Sequence, residues 1–154
     1  MRRSRRWSER LRHDDGSASL EFITTGLLLL VPTIYLVITL AALQGAALAV
    51  DGAARQATRV FVQSDSVSAG EAAAARAIEI TLADYGVDSG AARVDISCRP
   101  TPASCLTRQG YVTISIGVTV PLPLAPPALQ LNLPAGLPVQ ATATEQVSRF
   151  WGSR

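Results

Sequence analysis

The sequence has little of what a catalytic or metal site needs. Among 154 residues it holds one histidine, His13, two cysteines and no lysine. Serine and threonine are common, but no nucleophile-elbow pattern and no phosphate-binding glycine motif is present. Because histidine is the usual general base and a frequent metal ligand, these shortages argue against both chemistries. We therefore expect a non-enzymatic protein without a catalytic residue, a cofactor or a metal.

Charge is also scarce, except near the N-terminus. Charged residues make up 17% of the chain and hydrophobic residues 48%, and all 14 basic residues are arginines. Six arginines lie within residues 1–12, whereas residues 51–154 carry eight arginines and eight acidic residues. The positive charge is therefore a local feature of the N-terminus and not a basic surface, which argues against a nucleic acid as partner.

Residues 22–50 form a run of 29 residues without any charge. About 20 apolar residues in a helix span a bilayer core of roughly 30 Å, so the run predicts a transmembrane helix over residues 22–43. The arginines before it predict a cytoplasmic N-terminus and an extracytoplasmic C-terminal domain. We therefore expect a single-pass protein of the cytoplasmic membrane. Secretory cleavage after Ala47-Leu48-Ala49 is an alternative.

Gly16 and Glu21 stand directly before this run, in the segment DGSASLEF. A basic leader, a glycine, small residues, a lone carboxylate and a long apolar helix together resemble the processing site of type IV pilins and pseudopilins. The resemblance implies that a prepilin peptidase cuts between Gly16 and Ser17. Glu21 would then meet the new ammonium group of Ser17 or of a neighbouring subunit. The simpler interpretation is that Glu21 only complements the positive end of the helix dipole.

An alanine-rich helix with Arg55 and Arg59 follows the span, and it narrows the resemblance. The arrangement is similar to the TadE-like family, minor pilins or pseudopilins of the tight-adherence (Tad/Flp) pilus machinery. The match covers residues 16–62 and agrees beyond them only in layout. It implies a membrane-anchored pilus assembly protein whose partners are membrane lipid, other pilin or pseudopilin subunits, a prepilin peptidase and a secretion platform. The alternative from another class is an unprocessed bitopic membrane protein with an extracytoplasmic binding or sensor domain.

The remaining patterns predict an α+β fold. A single N-terminal transmembrane helix extends into a pilin-like helix, and a small domain with one helix and a three-stranded antiparallel sheet follows. The predicted segments are a basic leader (1–16), the transmembrane and extended helix (17–62) and the extracytoplasmic domain (63–154). The second helix is expected at 71–85, with an apolar stripe formed by Ala75, Ile78, Leu82 and Tyr85. Alternating residues predict strands at 93–98, 111–120 and 139–147.

Cys98 and Cys105 bracket a short loop between the first two strands. Because the predicted topology places them outside the cytoplasm, we expect a disulfide that closes this loop. Residues 121–138, with six prolines and six leucines, are expected to form a long crossover between the last two strands. Phe150 and Trp151, near the C-terminus, are either a last core contact or an interfacial anchor.

Overall fold

The computed structural model describes residues 17–121 and 136–152. Two helices precede three strands in the chain. Their bounds are α1 Ser17–Val62, α2 Val67–Asp84, β1 Arg93–Arg99, β2 Tyr111–Pro121 and β3 Gly136–Gln146, with one 3-10 turn at Ser89–Ala91. The α+β class, the helix order and the three strands are therefore confirmed. The predicted leader, residues 1–16, lies outside the described residues.

The first helix, α1, runs for 46 residues without interruption although it contains Pro32. Proline has no N–H to donate to the carbonyl four residues earlier, here that of Leu28. In the next position the Thr33 hydroxyl donates to the Leu29 carbonyl at 2.7 Å. The chain divides into two compact units between Thr39 and Leu40, inside α1. The first unit contributes the beginning of α1, and the second holds the rest of α1 and all other elements.

The second helix, α2, starts four residues earlier than the sequence pattern predicts. Ser66 caps it by accepting a hydrogen bond from the Ala69 N–H, and Gly86 follows its end at a φ of 68°. Its buried residues are Gly70, Ala74, Ile78 and Leu82. Ala75 and Tyr85, both predicted for the buried stripe, are exposed, so that part of the prediction is wrong. The observed buried stripe repeats every four residues and begins at Gly70. Because glycine has no side chain, a pattern of apolar side chains does not include it.

The sheet is antiparallel, in the order β1-β2-β3. The central strand, β2, alternates as the sequence predicts, with Val112, Ile114, Ile116 and Val118 buried. Pro121 pairs with Gly136, so β2 and β3 are directly connected neighbours. The predicted crossover is therefore a hairpin connection, because its ends meet across adjacent antiparallel strands. Residues 136–138 of that segment belong to β3, and residues 122–135 lie outside the described part of the chain.

One hydrophobic core in the second unit joins α1, α2 and the sheet. Phe61 of α1 is completely buried, and a methyl group added at Gly70 of α2 would lie 3.2 Å from its ring. Thr58 of α1 faces the sheet, since its hydroxyl lies 3.5 Å from the Ala143 carbonyl of β3. The second part of α1 is thus in contact with both α2 and the sheet.

Candidate functional site

The residues of the predicted processing site lie at the start of α1. Ser17 is the first helical residue, and Gly16 lies outside the described residues. Glu21 is exposed, in the second turn of the helix. Within residues 17–121 and 136–152 the only ion pair joins Arg55 and Asp51, so no cationic partner for Glu21 lies there. Its carboxylate stands one helical turn beyond Ser17.

The first part of α1, residues 17–39, carries a large exposed apolar surface. An 18-residue window of the helix has a mean hydropathy of 2.4, and none of that window is buried. The side chain of Phe22 is 80% exposed and that of Leu28 is 70% exposed. Water disfavours a continuous apolar surface of this size, which marks a contact with lipid or with another protein. By length and composition this helix can cross a membrane.

The second part of α1 is buried through small residues. Ala49, Ala53 and Ala57 are fully inaccessible to solvent. Thr58 is the one buried polar residue in the described part of the chain, and its hydroxyl donates to the Ala54 carbonyl at 2.6 Å. Small side chains let neighbouring backbones approach closely, so this alanine-rich segment is the core of a domain and not only a connection.

The two arginines that contribute to the family resemblance lie on the exposed face of α1. The Arg55 Nε donates to Asp51 at 3.0 Å, one turn earlier, and the two side chains are 74% and 47% exposed. Arg59 is exposed as well. An exposed pair at this spacing contributes only a few tenths of a kcal/mol, about 0.3–0.5. The interpretation as a solvated helix face therefore fits both arginines.

The predicted disulfide is present. Cys98 and Cys105 are bonded, with their Cα atoms 5.0 Å apart. Cys98 is buried at the end of β1, and Leu106, directly after Cys105, is buried in the core as well. The bond therefore ties the loop that follows β1 to the hydrophobic core.

The C-terminal aromatic pair is divided between the core and the surface. The Trp151 indole N–H donates to the Ser64 carbonyl at 2.9 Å, at the turn between α1 and α2, and its ring packs against the core. Arg108, in the loop between β1 and β2, also contacts this residue, since its Nε donates to the Trp151 carbonyl at 2.9 Å. Phe150 is 64% exposed, and the Arg149 guanidinium lies 4.7 Å from its ring centre. The sequence leaves the role of this pair open because Trp151 and Ser64 are 87 positions apart.

The described residues hold no cluster of three or more histidine, cysteine, aspartate or glutamate side chains that could bind a metal. The features that stand out are therefore the exposed apolar helix, the carboxylate at its start and the disulfide-closed α+β domain. Comparison of the chain with family models, curated proteins and solved structures finds no match.

Proposed function

We propose that this protein is a membrane-anchored pilus assembly protein, a minor pilin or pseudopilin similar to the TadE-like family. The observation that carries the proposal is the continuity of α1. One helix begins at Ser17, exposes an apolar surface over its first part and becomes the core of an α+β domain over its last part. A helix whose first part is long and apolar enough to cross a bilayer, and whose last part belongs to a folded domain, has the two properties that a membrane-anchored assembly subunit needs.

In this proposal α1 is the assembly element and Glu21 is its one charged contact in the apolar part. Cleavage after Gly16 would create an ammonium group at Ser17. A carboxylate at the edge of hydrocarbon is costly unless it is paired, and an amine on the same or a neighbouring subunit would pair it. The basic leader would keep the N-terminus cytoplasmic until it is removed.

The position of Ala47-Leu48-Ala49 inside α1 favours an intact helix over a secreted domain. Ala46 and Ala49 belong to the buried residues of the second unit, and α1 continues through them without a break. Secretory cleavage after Ala49 would remove both from the folded domain. Each buried alanine lost leaves unfilled space, and such space costs free energy of unfolding.

The N-terminal residue of the protein extracted from membranes tests the proposal. The full chain is expressed in cells that contain a prepilin peptidase, and its N-terminus is read by mass spectrometry. The expected N-terminus is Ser17. Residue 1 or 2 would instead indicate the unprocessed bitopic protein, and Val50 would indicate the secreted form.

A pair of glycine variants provides the matched control. Gly16→Val should abolish processing, because a branched side chain next to the cleaved bond blocks entry into the peptidase cleft. Gly26→Val should leave processing unchanged, because Gly26 lies in α1 and a Cβ there meets no atom within 4 Å. Equal processing of both variants would contradict cleavage after Gly16.

A further inference from the structure

The sheet has two open edges that differ in charge. Three of the seven residues of β1 are charged, whereas β3 has one charged residue, Glu145, among eleven. Natural edge strands avoid unwanted pairing through charges, prolines or covering segments. Residues 139–144 of β3 contain neither a charge nor a proline, and within the described part of the chain β2 is the only strand paired with them. Among the residues that the structure describes, the β3 edge therefore lacks the usual protection.

The hydrogen-bond pattern identifies the backbone groups that face each edge. The Val147 N–H donates to the Gly110 carbonyl at 2.8 Å, in continuation of the β2–β3 register. Because bonding alternates along antiparallel strands, the odd-numbered residues of β3 bond to β2 and the even-numbered ones face outward. Pro138 is also even-numbered, so its backbone faces outward and its lack of an N–H removes no hydrogen bond to β2. In β3 the backbone N–H and C=O groups that face outward include those of Gln140, Thr142, Thr144 and Gln146. In β1 they are those of Val94, Ile96 and Cys98.

Charge and direction restrict how two copies could pair. Two antiparallel β1 strands centred on Ile96 would place Arg93 opposite Arg99, and like charges in opposite positions are unfavourable. Two antiparallel β3 strands are related by a two-fold axis perpendicular to the sheet, which reverses every direction in the sheet plane. The last part of α1 lies along the sheet, because its buried residues share one core with β2 from Val112 to Val118. Such pairing would therefore make the two copies of α1 antiparallel.

We propose that the β3 edge of one copy binds the β1 edge of a second copy, as parallel strands, so that the sheets join head to tail. This inference rests on the membrane anchoring in the proposed function, since copies inserted in one membrane carry α1 in the same direction. Within one chain β1 and β3 are both antiparallel to β2 and hence parallel to each other. Two copies whose sheets are related by a translation therefore present these two edges to each other as parallel strands.

The shorter β1 edge fits within the length of β3, and the joint sets no two like charges opposite each other. Within one chain, residues 93–99 of β1 and 140–146 of β3 lie side by side across β2. If the same alignment continues across the joint, residues 93–99 of one copy pair with residues 140–146 of the second copy. Asp95 then lies beside Thr142, in the row that Asp95, Ser115 and Thr142 already form within one chain. The charged side chains of β1 meet only uncharged ones of β3, and the alternating parallel pattern supplies about six backbone hydrogen bonds. Pro138 lies beyond the paired stretch.

The same contact between a β3 edge and a β1 edge can form again with a third copy. Each copy keeps one free β1 edge or β3 edge after it has paired, and a head-to-tail contact that does not close into a ring produces a filament. The partner that the proposed assembly function requires is then a second copy of this chain, bound through its sheet edge as well as through α1.

Disulfide cross-linking in membranes tests the joint. The double variant Asp95→Cys, Thr142→Cys is expressed as the full chain, and isolated membranes are treated with a mild oxidant. Within one chain β2 separates the two positions by two strand spacings, about 9.6 Å, which is too far for a disulfide. The expected result is a ladder of dimers, trimers and larger species on a non-reducing gel. The cross-linked fraction should exceed that of either single variant by about tenfold, because only the joint brings both thiols within bonding distance.

The control keeps one thiol and moves the other along the same edge. In Asp95→Cys, Gln146→Cys the second thiol lies four residues further along β3, about 13 Å away, so no ladder is expected. Equal cross-linking of the two double variants would overturn the proposed register. A dimer from Thr142→Cys alone would show two-fold β3 pairing, and a cross-link to another protein would show a different occupant. No cross-link at all would mean that the β1 and β3 edges of two copies do not meet. Each of these results overturns the head-to-tail joint, and none bears on whether Ser17 is the N-terminus.

Discussion

Phe61 is the largest fully buried side chain of the described residues, and its ring lies against Gly70 of α2. Replacing it with alanine removes most of its contacts in a space that Gly70 cannot fill. We expect Phe61→Ala to lower the free energy of unfolding by about 3–5 kcal/mol. Phe150→Ala is the matched control and should cost less than about 1 kcal/mol, since that ring is 64% exposed. Denaturant unfolding of the detergent-solubilised full chain measures both, and equal losses would contradict the assigned core.

Trp151 joins the C-terminal segment to the turn between the helices through one hydrogen bond. Trp151→Phe keeps an aromatic ring but removes the indole N–H that bonds to the Ser64 carbonyl. We expect a loss of about 1 kcal/mol in the free energy of unfolding, and a larger loss for Trp151→Ala, which also removes the packing. The same unfolding measurement applies. A Trp151→Phe protein as stable as the unchanged one would show that the hydrogen bond contributes nothing.

Residue roles that depend on neighbours in sequence can be predicted, and those that depend on distant contacts cannot. Cys98 and Cys105 are seven positions apart, so the sequence alone is enough to suggest their bond. The contacts of Trp151 with Ser64 and of Thr58 with Ala143 join positions more than 80 apart. No local pattern encodes such contacts, because they arise only when helices and sheet have packed.

The loop after β1 is held by its disulfide in addition to the buried side chain of Leu106. In the chain-entropy model, closing a loop of this length stabilises the folded state by about 2.5 kcal/mol. We expect Cys98→Ala, Cys105→Ala to lose about that amount. Either single variant breaks the same bond, so Cys105→Ala alone should lose nearly as much as the double variant. Unfolding under non-reducing conditions measures the change. A double variant that loses as much as two independent single losses would contradict the shared bond.

Because the backbone hydrogen bonds of β3 alternate between β2 and the open edge, proline should lower the free energy of unfolding by unequal amounts at two adjacent positions. Ala141 faces β2 with its backbone groups, so Ala141→Pro removes a ladder bond and should cost about 1–3 kcal/mol. Gln140 faces the open edge, so Gln140→Pro should cost much less, in line with the native Pro138 two residues earlier. Circular dichroism and denaturant unfolding of both variants test this. The reverse order would overturn the parity on which the proposed sheet joint depends.

The buried face of an element could be predicted where apolar residues repeat at one regular spacing. It could not be predicted where buried and exposed apolar residues occur on the same element. β2 alternates apolar and polar residues over its whole length, and the sequence therefore gives its buried face correctly. In α2 the buried face includes Gly70, and the apolar Ile80 on the same helix is 63% exposed. The buried face of α2 combines two small residues with Ile78 and Leu82, so a pattern of large apolar side chains marks only half of it.

At the scale of the molecule, α1 has two different surroundings. Its first part exposes apolar side chains, and its last part is enclosed by the second unit. The sequence shows this division only indirectly, through the change from leucine and isoleucine to alanine along an uncharged run. Large apolar side chains suit contact with lipid, whereas small ones suit close packing within a domain. The boundary between the two units, at Thr39 and Leu40, agrees with this change.

Two arginines in the middle of the apolar part should release the protein from the membrane. Leu29 and Leu36 are exposed on α1 and seven residues apart, so they lie on one face of the helix. Each arginine near the centre of a bilayer costs about 2.5–3.5 kcal/mol for insertion. We expect Leu29→Arg, Leu36→Arg to move most of the protein out of the alkali-washed membrane fraction, as measured by immunoblotting.

The matched control places the same two charges at the start of the helix. Ser19→Arg, Leu20→Arg adds arginines beside the basic leader, where their long side chains can reach the lipid headgroups. This variant should stay in the membrane fraction, and its N-terminal charge should even strengthen the cytoplasmic orientation. If the variant with central arginines remained in the membrane as fully as this control, the first part of α1 would not lie in lipid. Its exposed apolar surface would then have to be covered by protein, and the anchoring on which the assembly function rests would fail with it.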